Sequence, residues 1–361
     1  MSNTPDRRTF TKRTLVTLSH ALERTALAAA EDGPMVVLAL FQRAPYFARE
    51  RQVYDRIAVR AAATVVCMVA DEPPAAGTGT HVVLLHPDEE AAREWTVVVL
   101  TPRFGAVLNA YDREQVDGSA ATLEAGRLFD GWWSLRRDDA LHEVLRLRSM
   151  LGDRLAPDAL AALDGAVAYV RDLPAGTGER RADAAVRFLL EQVERDSARL
   201  ARRQAAAADR PVVSGPAEVG RWSGSGGVTA SGTLPVALLG VRVPAAQQLP
   251  EQTGRRAGML RNEGLLGVLG PLLRDADRMT RLDDDTFLLM LPALSADDAV
   301  KLAHRVGADL LAASARDTFT PATAHTVVTV TRQRPFPVDH IRQALSWAER
   351  QGIPVATLNG D

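Results

Sequence analysis

The first 150 residues alternate between amphipathic segments with helical spacing and short apolar runs typical of strands. Apolar positions recur every three or four residues in 15–30 and 46–61, which predicts two helices. The run PMVVLALF, residues 34–41, is short and rich in β-branched residues, which predicts a buried strand between them. Four later runs predict further strands: ATVVCMVA, HVVLL, EWTVVVLTP and FGAVLNAYD. Helices mixed with extended runs indicate an α/β or α+β domain ending near residue 150.

The middle of the chain has an almost wholly helical pattern from Asp138 to about Ala207, interrupted at DLPAGTGE. We therefore expect a helical connector over 151–207, followed by a flexible Gly/Ser/Pro-rich linker over 208–232. The last helix carries an apolar stripe on an otherwise charged surface, formed by Ala184, Val186, Leu189, Leu190, Val193, Ala198 and Leu200. Such a stripe docks either on its own chain or on a second copy, so a homodimer is one expected assembly.

The last block, residues 233–361, reads as strand, helix, hairpin, helix, strand, helix, strand. This is a βαββαβ pattern with one extra strand, and it predicts an antiparallel sheet with helices packed on it. Residues 1–13 form a polar tail in this interpretation. The whole chain is thus expected to be α/β (α+β), with a mixed sheet at each end.

Composition, charge and hydropathy limit the classes of partner and the cellular location that we expect for this chain. The chain has 361 residues, more than one hydrophobic core usually serves, and its net charge of -2 gives no overall attraction to nucleic acid or membrane. The N-terminus lacks a signal peptide's apolar region, and no run approaches the roughly 18 apolar residues of a membrane span. We expect a cytoplasmic protein without nucleic-acid or membrane partners. The single cysteine, Cys67, is expected to be buried, and the seven histidines show no paired metal-ligand spacing.

Several features of the last block, in order and spacing, resemble the GGDEF domain of diguanylate cyclases. They are the opening strand LPVALLGV, the segment Arg274, Asp277 and Arg281, the hairpin with Phe287 and LLMLP, the helix after SADDA, and Ala344, Leu345, Ala348 and Gly352. The family signature itself is altered to Asp283, Asp284, Asp285, Thr286 and Phe287. The resemblance implies a GGDEF-like fold whose signature hairpin departs from the family.

Cyclase chemistry joins two GTP molecules and requires divalent cations held by carboxylates. In the family one carboxylate ends the first strand and another lies in the hairpin; here Arg242 and Thr286 occupy those positions. A guanidinium repels a metal ion, so we expect no catalytic residues, no metal, no cofactor and no cyclase activity. Two interpretations of the three aspartates stay open. They form a solvated turn, or Asp285 pairs with Arg242 in place of the lost metal.

The resemblance also implies a ligand site. In the family an RxxD segment lies five residues before the signature and binds cyclic di-GMP; here Arg274 and Asp277 are followed by five residues, 278–282. Arginine suits a cyclic dinucleotide because its planar fork bonds phosphate oxygens or guanine edges. The candidate ligand-binding residues are Arg274, Asp277 and Arg281. The alternative is that Arg274 and Asp277 only close a helix end by pairing.

The N-terminal block resembles the DICT sensory domain found beside GGDEF and two-component modules in bacteria. The matching segments are LSHALER (18–24), residues 36–58, residues 93–112 and FDGWWSL (129–135). The resemblance covers most of 14–150 and implies a sensor or partner-binding module without established chemistry. Polar side chains beside its apolar strands must find an internal partner or face a pocket. The candidates are Ser19, His20, Glu23, Phe41, Gln42, Tyr46, Tyr54, Glu94 and Trp95.

Together these features predict a bacterial signalling protein in which a DICT sensor is joined to a catalytically inactive GGDEF domain that binds cyclic di-GMP. One alternative is an interaction scaffold that binds a protein partner and no nucleotide. A working diguanylate cyclase is the least favoured alternative, because of Arg242 and Thr286.

Overall fold

The computed structural model describes residues 7–28, 33–75, 77–118, 120–174, 176, 178–207, 214–224, 234–243, 251–317 and 319–359. The chain divides into two compact units. Unit 1 comprises Met1–Arg113 and Leu128–Ala201, and unit 2 comprises Glu114–Arg127 and Arg202–Asp361. Each contains a mixed sheet with helices, which confirms the predicted fold class. Among the described residues, no helix has both the length and the apolar character that a membrane span requires.

Unit 1 is a seven-stranded sheet with helices on both faces. Its strands are β1 (Arg8–Thr11), β2 (Val36–Arg43), β3 (Ala63–Val69), β4 (Thr80–Leu84), β5 (Glu94–Leu100), β6 (Gly105–Val116) and β7 (Arg127–Ser134), in the order β1-β7-β6-β5-β2-β3-β4. Its helices are α1 (Lys12–Ala28), α2 (Ala44–Ala58), α3 (Arg137–Leu151), α4 (Pro157–Arg171) and α5 (Glu179–Ala207). The pairs β2–β3 and β3–β4 are parallel, whereas β2–β5 and β5–β6 are antiparallel.

Strand alternation decides which helices cover which face of the sheet. In β2, Val36, Leu38 and Leu40 point into a core shared with α3 and α4. Val37 and Phe41 point into the opposite core, shared with α1 and α2. Both sets are almost completely buried, which explains why the strand reads as one continuous apolar run.

The predicted polar tail is wrong at its C-terminal end. Arg8–Thr11 forms the edge strand β1, antiparallel to β7, and Phe10 is buried in the core under α1 and α2. Thr9 Oγ1 donates to Asp130 Oδ1 at 2.9 Å. Pairing with β7 and the burial of one phenyl ring outweigh the polar composition of a four-residue strand.

The predicted connector also differs from the structure. Helix α4 packs on the sheet of unit 1, where Leu163 and Val170 join the same core as Val65 of β3. In α5, Val186 and Leu190 of the predicted stripe pack against the other core. Ala184 and Leu189 of that stripe are exposed, and Val193, Ala198 and Leu200 lie outside the described side chains. Residues 151–201 therefore belong to unit 1, because their apolar positions complete its two cores.

Unit 2 is a five-stranded sheet with the order β12-β11-β8-β10-β9. Its elements are α6 (Pro216–Ser223), β8 (Val236–Arg242), α7 (Glu251–Leu269), β9 (Arg278–Asp283), β10 (Thr286–Pro292), α8 (Ala296–Ser314), β11 (His325–Thr331), α9 (Val338–Gln351) and β12 (Val355–Thr357). The pairing is antiparallel except between β11 and β12. Helices α7 and α8 cover one face and α9 covers the other, which confirms the predicted order of elements.

Two short segments complete the core under α9. Residues 216–223, inside the predicted flexible linker, form helix α6, and Trp222 is buried beside Leu234. The linker prediction is therefore wrong for residues 216–223, because the burial of one tryptophan fixes this glycine-rich segment against the core. Residues 208–213 and 225–232 of the predicted linker lie outside the described residues. From the earlier segment of unit 2, Leu123 joins the same core and its backbone N–H donates to Trp222 O at 3.0 Å.

Candidate functional site

Helices α1 and α2 of unit 1 bring several of the predicted polar residues together. His20 and Glu23 are three residues apart on α1, and Glu50 and Tyr54 are four apart on α2, so each pair lies on one helix face. His20 Nε2 lies 3.1 Å from Glu50 Oε1. Ser19 Oγ and Tyr54 OH donate to Glu23 Oε1 at 3.1 Å and 3.3 Å. We call these five residues the α1–α2 cluster.

Burial dominates the electrostatics of the α1–α2 cluster. Glu23 is 2% exposed, and this burial, with the neighbouring charge of Glu50, raises its pKa to about 7 despite the opposing effects of His20, Ser19 and Tyr54. The pKa of Tyr54 is raised well above its usual value by complete burial and then by Glu23. The cluster therefore contains a carboxyl group that gains and loses a proton near neutral pH.

A cavity of about 70 Å³ opens beside the cluster. It is lined by Lys12, Val16, Ser19, His20, Phe41, Gln42, Tyr46, Arg49, Glu50 and Trp95. Lys12 Nζ lies 4.3 Å from the centre of the Tyr46 ring, and Gln42 Nε2 donates to Arg93 O at 2.9 Å. Trp95 Nε1 is buried and has no hydrogen-bond partner in the described part of the chain. Apolar walls with a few polar groups are typical of a small-ligand site.

Among the predicted DICT residues, His20, Gln42, Tyr46 and Trp95 line this cavity. Glu23 and Tyr54 belong to the adjoining cluster. Lys12, Arg49 and Glu50 were not among the residues predicted from the sequence. Of these, Glu50 had a readable signal, because it lies four residues before Tyr54 and so shares a face of α2 with it.

Glu94 lies apart from the cavity because strand alternation places it on the face of β5 opposite to Trp95. Arg146 of α3 forms hydrogen bonds with Glu94 Oε2 at 2.6 Å and with Glu143 Oε1 at 2.7 Å. Asn109 Nδ2 donates to Glu94 Oε2 at 3.2 Å. Glu94 thus has internal partners on β6 and α3, which is a structural role.

In unit 2, Arg242 connects three elements at the end of the central strand. It lies opposite Thr286 in the β8–β10 pair, and its Nε donates to Thr286 Oγ1 at 3.0 Å. Its Nη1 donates to Ser346 Oγ at 2.8 Å and lies 3.6 Å from Glu349 Oε2. Asp285 Oδ1 is 4.0 Å from Arg242 Nε. The guanidinium of Arg242 therefore lies between the altered signature residues and helix α9.

The three aspartates have different surroundings. Asp284 is fully exposed, and Arg281 Nη2 donates to its Oδ1 at 2.8 Å. Burial alone would raise the pKa of Asp283, but hydrogen bonds with Thr286 and Asp285 outweigh it, so this pKa is lowered. The pKa of Asp285 is raised by burial and by the neighbouring Asp283. Phe287 is buried in the core. The hairpin tip is thus a solvated turn at Asp284, with Asp285 close to Arg242.

Arg274 and Asp277 form a closed local pair. Arg274 donates to Asp277 Oδ1 from Nη2 at 2.8 Å and to Oδ2 from its backbone N–H at 2.7 Å. Nη2 also donates to Pro292 O at 2.8 Å. Arg281 is not beside them, because its guanidinium binds the hairpin turn through Asp283 O and Asp284. The structure brings together two of the three predicted ligand-binding residues.

A cleft of about 260 Å³ adjoins this pair. It is lined by Leu272, Arg274, Asp277, Leu291, Leu294, Asp298, Lys301, Leu302 and Arg305. Lys301 and Arg305 are one helical turn apart on α8, which was the sequence signal for a shared basic face. Neither residue was predicted from the sequence. The cleft combines basic side chains with leucines.

The solved structures to which the chain is similar include GGDEF domains, as the resemblance predicts. One is the GGDEF domain of DgcB from Caulobacter crescentus in complex with c-di-GMP, at 13% identity and a TM-score of 0.27, covering 36% of this chain and 78% of that one. The active GGEEF domain of a diguanylate cyclase from Vibrio cholerae has 14% identity and a TM-score of 0.26, with 34% and 82% covered. Diguanylate cyclase SiaD in complex with its activator SiaC, from Pseudomonas aeruginosa, has 20% identity and a TM-score of 0.33, with 62% and 87% covered.

No protein of curated function matches this chain. Residues 1–113 match the family DICT, described as a sensory domain in diguanylate cyclases and two-component systems. The matched residues contain α1, α2, the α1–α2 cluster and the cavity beside it. They also include β1, which the sequence analysis left outside the domain. The N-terminal part of the chain, over residues 1–113, is a DICT domain.

Proposed function

We propose that this is a signalling protein in which the DICT domain senses and unit 2 is a GGDEF-like domain that does not synthesise cyclic di-GMP. The observation that carries the second part is the placement of Arg242 among Thr286, Asp285 and Ser346. A divalent cation about 4 Å from a guanidinium is repelled by about 8 kcal/mol at an effective dielectric constant of about 20. Arg242 thus takes the place of a metal ion as the counter-charge of Asp285.

The test is incubation of the purified chain with GTP and either Mg²⁺ or Mn²⁺, followed by chromatographic detection of cyclic di-GMP. We expect no product from the wild type. The matched control is Asp285→Ala, which removes the remaining hairpin acid close to Arg242. Product that forms with the wild type and disappears with Asp285→Ala overturns this part of the proposal.

The cleft at Arg274 supports a second function for unit 2, which is binding of cyclic di-GMP. Lys301 and Arg305 line it together with Arg274, and the leucines supply apolar surface for a base. Lys301 pairs with Asp298 at 2.8 Å and Arg305 with Asp309 at 3.4 Å, both on the exposed surface. Exposed ion pairs contribute only about 0–1 kcal/mol, whereas a charge-assisted hydrogen bond to a ligand contributes about 1.5–3 kcal/mol. A dianionic ligand therefore competes for both cations.

Calorimetric titration with cyclic di-GMP and with GTP tests this function. Micromolar binding of the dinucleotide corresponds to about -8 kcal/mol. We expect it to be lost in Arg274→Ala and in Lys301→Ala, and kept in Arg316→Ala, an exposed arginine outside the cleft. Lys301 is 75% exposed, so its substitution does not disturb the core. Absence of heat with the wild type leaves Arg274 and Asp277 as a structural pair and favours the scaffold function.

Binding of a protein partner, or of a second copy of the chain, is a further prediction for this protein. Phe188 and Leu189 of α5 are 57% and 61% exposed, although Val186 and Leu190 pack on unit 1. Light scattering tests the homodimer: a mass of one chain contradicts it, and a mass of two chains that falls in a Phe188→Ser, Leu189→Ser variant supports it.

A further inference from the structure

The α1–α2 cluster contains a set of metal-ligand side chains. His20 and Glu23 come from one helix and Glu50 from the facing helix, and their ligand atoms all lie within 4.8 Å of one another. In a tetrahedral site with bonds of about 2.0–2.1 Å, neighbouring ligand atoms are about 3.3 Å apart. His20 Nε2 and Glu50 Oε1 are already 3.1 Å apart. Small side-chain rotations therefore suffice to place the third ligand.

Glu23 has the supporting contacts that an inner metal ligand requires. It is 2% exposed, and both Ser19 Oγ and Tyr54 OH donate to its Oε1. Tyr54 is itself held by edge-on contact with Phe41, with ring centres 5.4 Å apart. Outer hydrogen bonds of this kind fix the orientation of a coordinating carboxylate and are a regular part of metal sites.

The adjoining cavity provides room for a further ligand. His20 and Glu50 line it, so an ion bound between them is accessible from the cavity. Trp95 lines the same cavity, and its indole Nε1 is a buried donor without a hydrogen-bond partner among the described residues. Lys12 and Arg49 also line the cavity, and their charges favour an anion over a second cation.

We propose that His20, Glu23 and Glu50 bind one first-row divalent cation, with a coordination position open to the cavity. One imidazole and two carboxylates suit Zn²⁺, Fe²⁺ or Mn²⁺, whereas Ca²⁺ and Mg²⁺ prefer sets made only of oxygen ligands. The cation neutralises the two neighbouring carboxylates, Glu23 and Glu50. Glu23 is buried, and a buried carboxylate beside another is costly without a counter-charge. The site lies in the DICT domain and does not depend on the functions proposed for unit 2.

The test uses the full chain, purified without a polyhistidine tag, treated with a chelator and then titrated calorimetrically with Zn²⁺ and with Mn²⁺. We expect one ion per chain for at least one of the two metals, measured independently by elemental analysis. His20→Ala and Glu50→Gln should each weaken binding at least tenfold. The matched control is His86→Ala, because His86 forms an exposed pair with Asp88 at 3.4 Å outside the cluster.

Circular dichroism of each variant separates a lost ligand from a lost fold. Co²⁺ gives a second measurement, since a site with low coordination number absorbs visible light and the same two substitutions should abolish this absorption. Binding that is unchanged in both His20→Ala and Glu50→Gln overturns the proposal. A wild-type chain that binds neither metal also overturns it.

Discussion

Arg146 lies between two carboxylates that have little access to solvent. The side chains of Glu94 and Glu143 are 11% and 5% exposed, and both accept hydrogen bonds from its guanidinium. Arg146 is itself 40% exposed, but its removal leaves two little-exposed carboxylates without their counter-charge and hydrogen bonds, so Arg146→Leu should lower the free energy of unfolding by about 1–3 kcal/mol. Urea denaturation measures it.

The matched control for Arg146 lies two residues further along the same helix. Arg148 pairs with Asp164, and both side chains are more than one-third exposed. An exposed pair contributes about 0–1 kcal/mol, so Arg148→Leu should change stability little. Equal losses in the two variants would show that the low exposure of Glu94 and Glu143 adds nothing to the contribution of Arg146.

Glu23 should make the stability of the metal-free protein depend on pH. Its pKa is about 7 in the folded protein and 4.5 in the reference state, so the folded state binds more protons between these values. The free energy of unfolding therefore falls as pH rises from 4.5 to 7, by about 3 kcal/mol in total. Glu50, His20, Ser19 and Tyr54 surround the carboxyl group, and burial is the largest cause.

Glu23→Gln removes this titration while keeping a polar side chain of the same size. In the presence of a chelator, urea denaturation between pH 4.5 and pH 7 should give a flatter stability profile for the variant. The same slope in both proteins would assign the pH dependence to other groups.

Single residues show what the sequence could predict and where its information ended. The rule that a buried polar group needs a partner applies correctly to Gln42 and Glu94, which both have internal hydrogen bonds. The identity of the partners could not be predicted, because Arg146 is 52 residues from Glu94. Likewise Lys301 reaches the Arg274 cleft only through packing of α8 on the sheet. Residue type gives the requirement, and tertiary structure gives the partner.

At the scale of elements, one glycine permits strand β6 to meet helix α3. A Cβ built on Gly105 lies 2.3 Å from Arg137 Cα and 2.9 Å from its backbone N, so the helix start would have to move. Overpacking of this kind costs about 1–3 kcal/mol, and Gly105→Ala should lower the free energy of unfolding by that amount. Thermal or urea denaturation measures it.

Gly165 is the matched control for Gly105, because a Cβ there meets nothing within 4 Å on the exposed face of α4. Alanine is favoured over glycine inside a helix, so Gly165→Ala should raise stability by up to about 1 kcal/mol. A stabilising effect at Gly105 would contradict the close approach described here.

The longer elements followed from periodicity, whereas the short ones did not. Residues 36–43 and 286–292 were predictable strands because their apolar runs are nearly continuous. Strand β1 has four residues and only Phe10 is apolar, so its pairing with β7 left no readable pattern. The glycine and serine residues around α6 gave no helical pattern in the sequence, although its Trp222 is buried in the core. Short elements depend on tertiary contacts for their existence.

At the scale of the molecule, unit 2 is built from two separate pieces of chain. Leu123 is fully buried and comes from the earlier piece, where it packs with Trp222 and Leu234. Leu123→Ala should lower the stability of unit 2 by about 2–5 kcal/mol through the lost transfer energy and the cavity left behind. Hydrogen exchange at the amides of β8 and β10 measures the effect in that unit.

Leu311 of α8 gives the matched control, since it is 61% exposed in the same unit. Leu311→Ala should change the exchange of the β8 and β10 amides little, because almost no buried surface is lost. Equal effects at Leu123 and Leu311 would show that the earlier piece is not part of the core.

The discontinuous chain of unit 2 has a consequence for biosynthesis and for inheritance. A ribosome releases residues 114–127 before Trp222 and the strands of unit 2 exist, so Leu123 stays uncovered while the last strand and helices of unit 1 are made. A gene fusion that joins another sensor at residue 202 would transfer unit 2 without this piece. A single chain junction at residue 202 therefore does not separate the two units completely, and an intact core of unit 2 requires residues 114–127 as well.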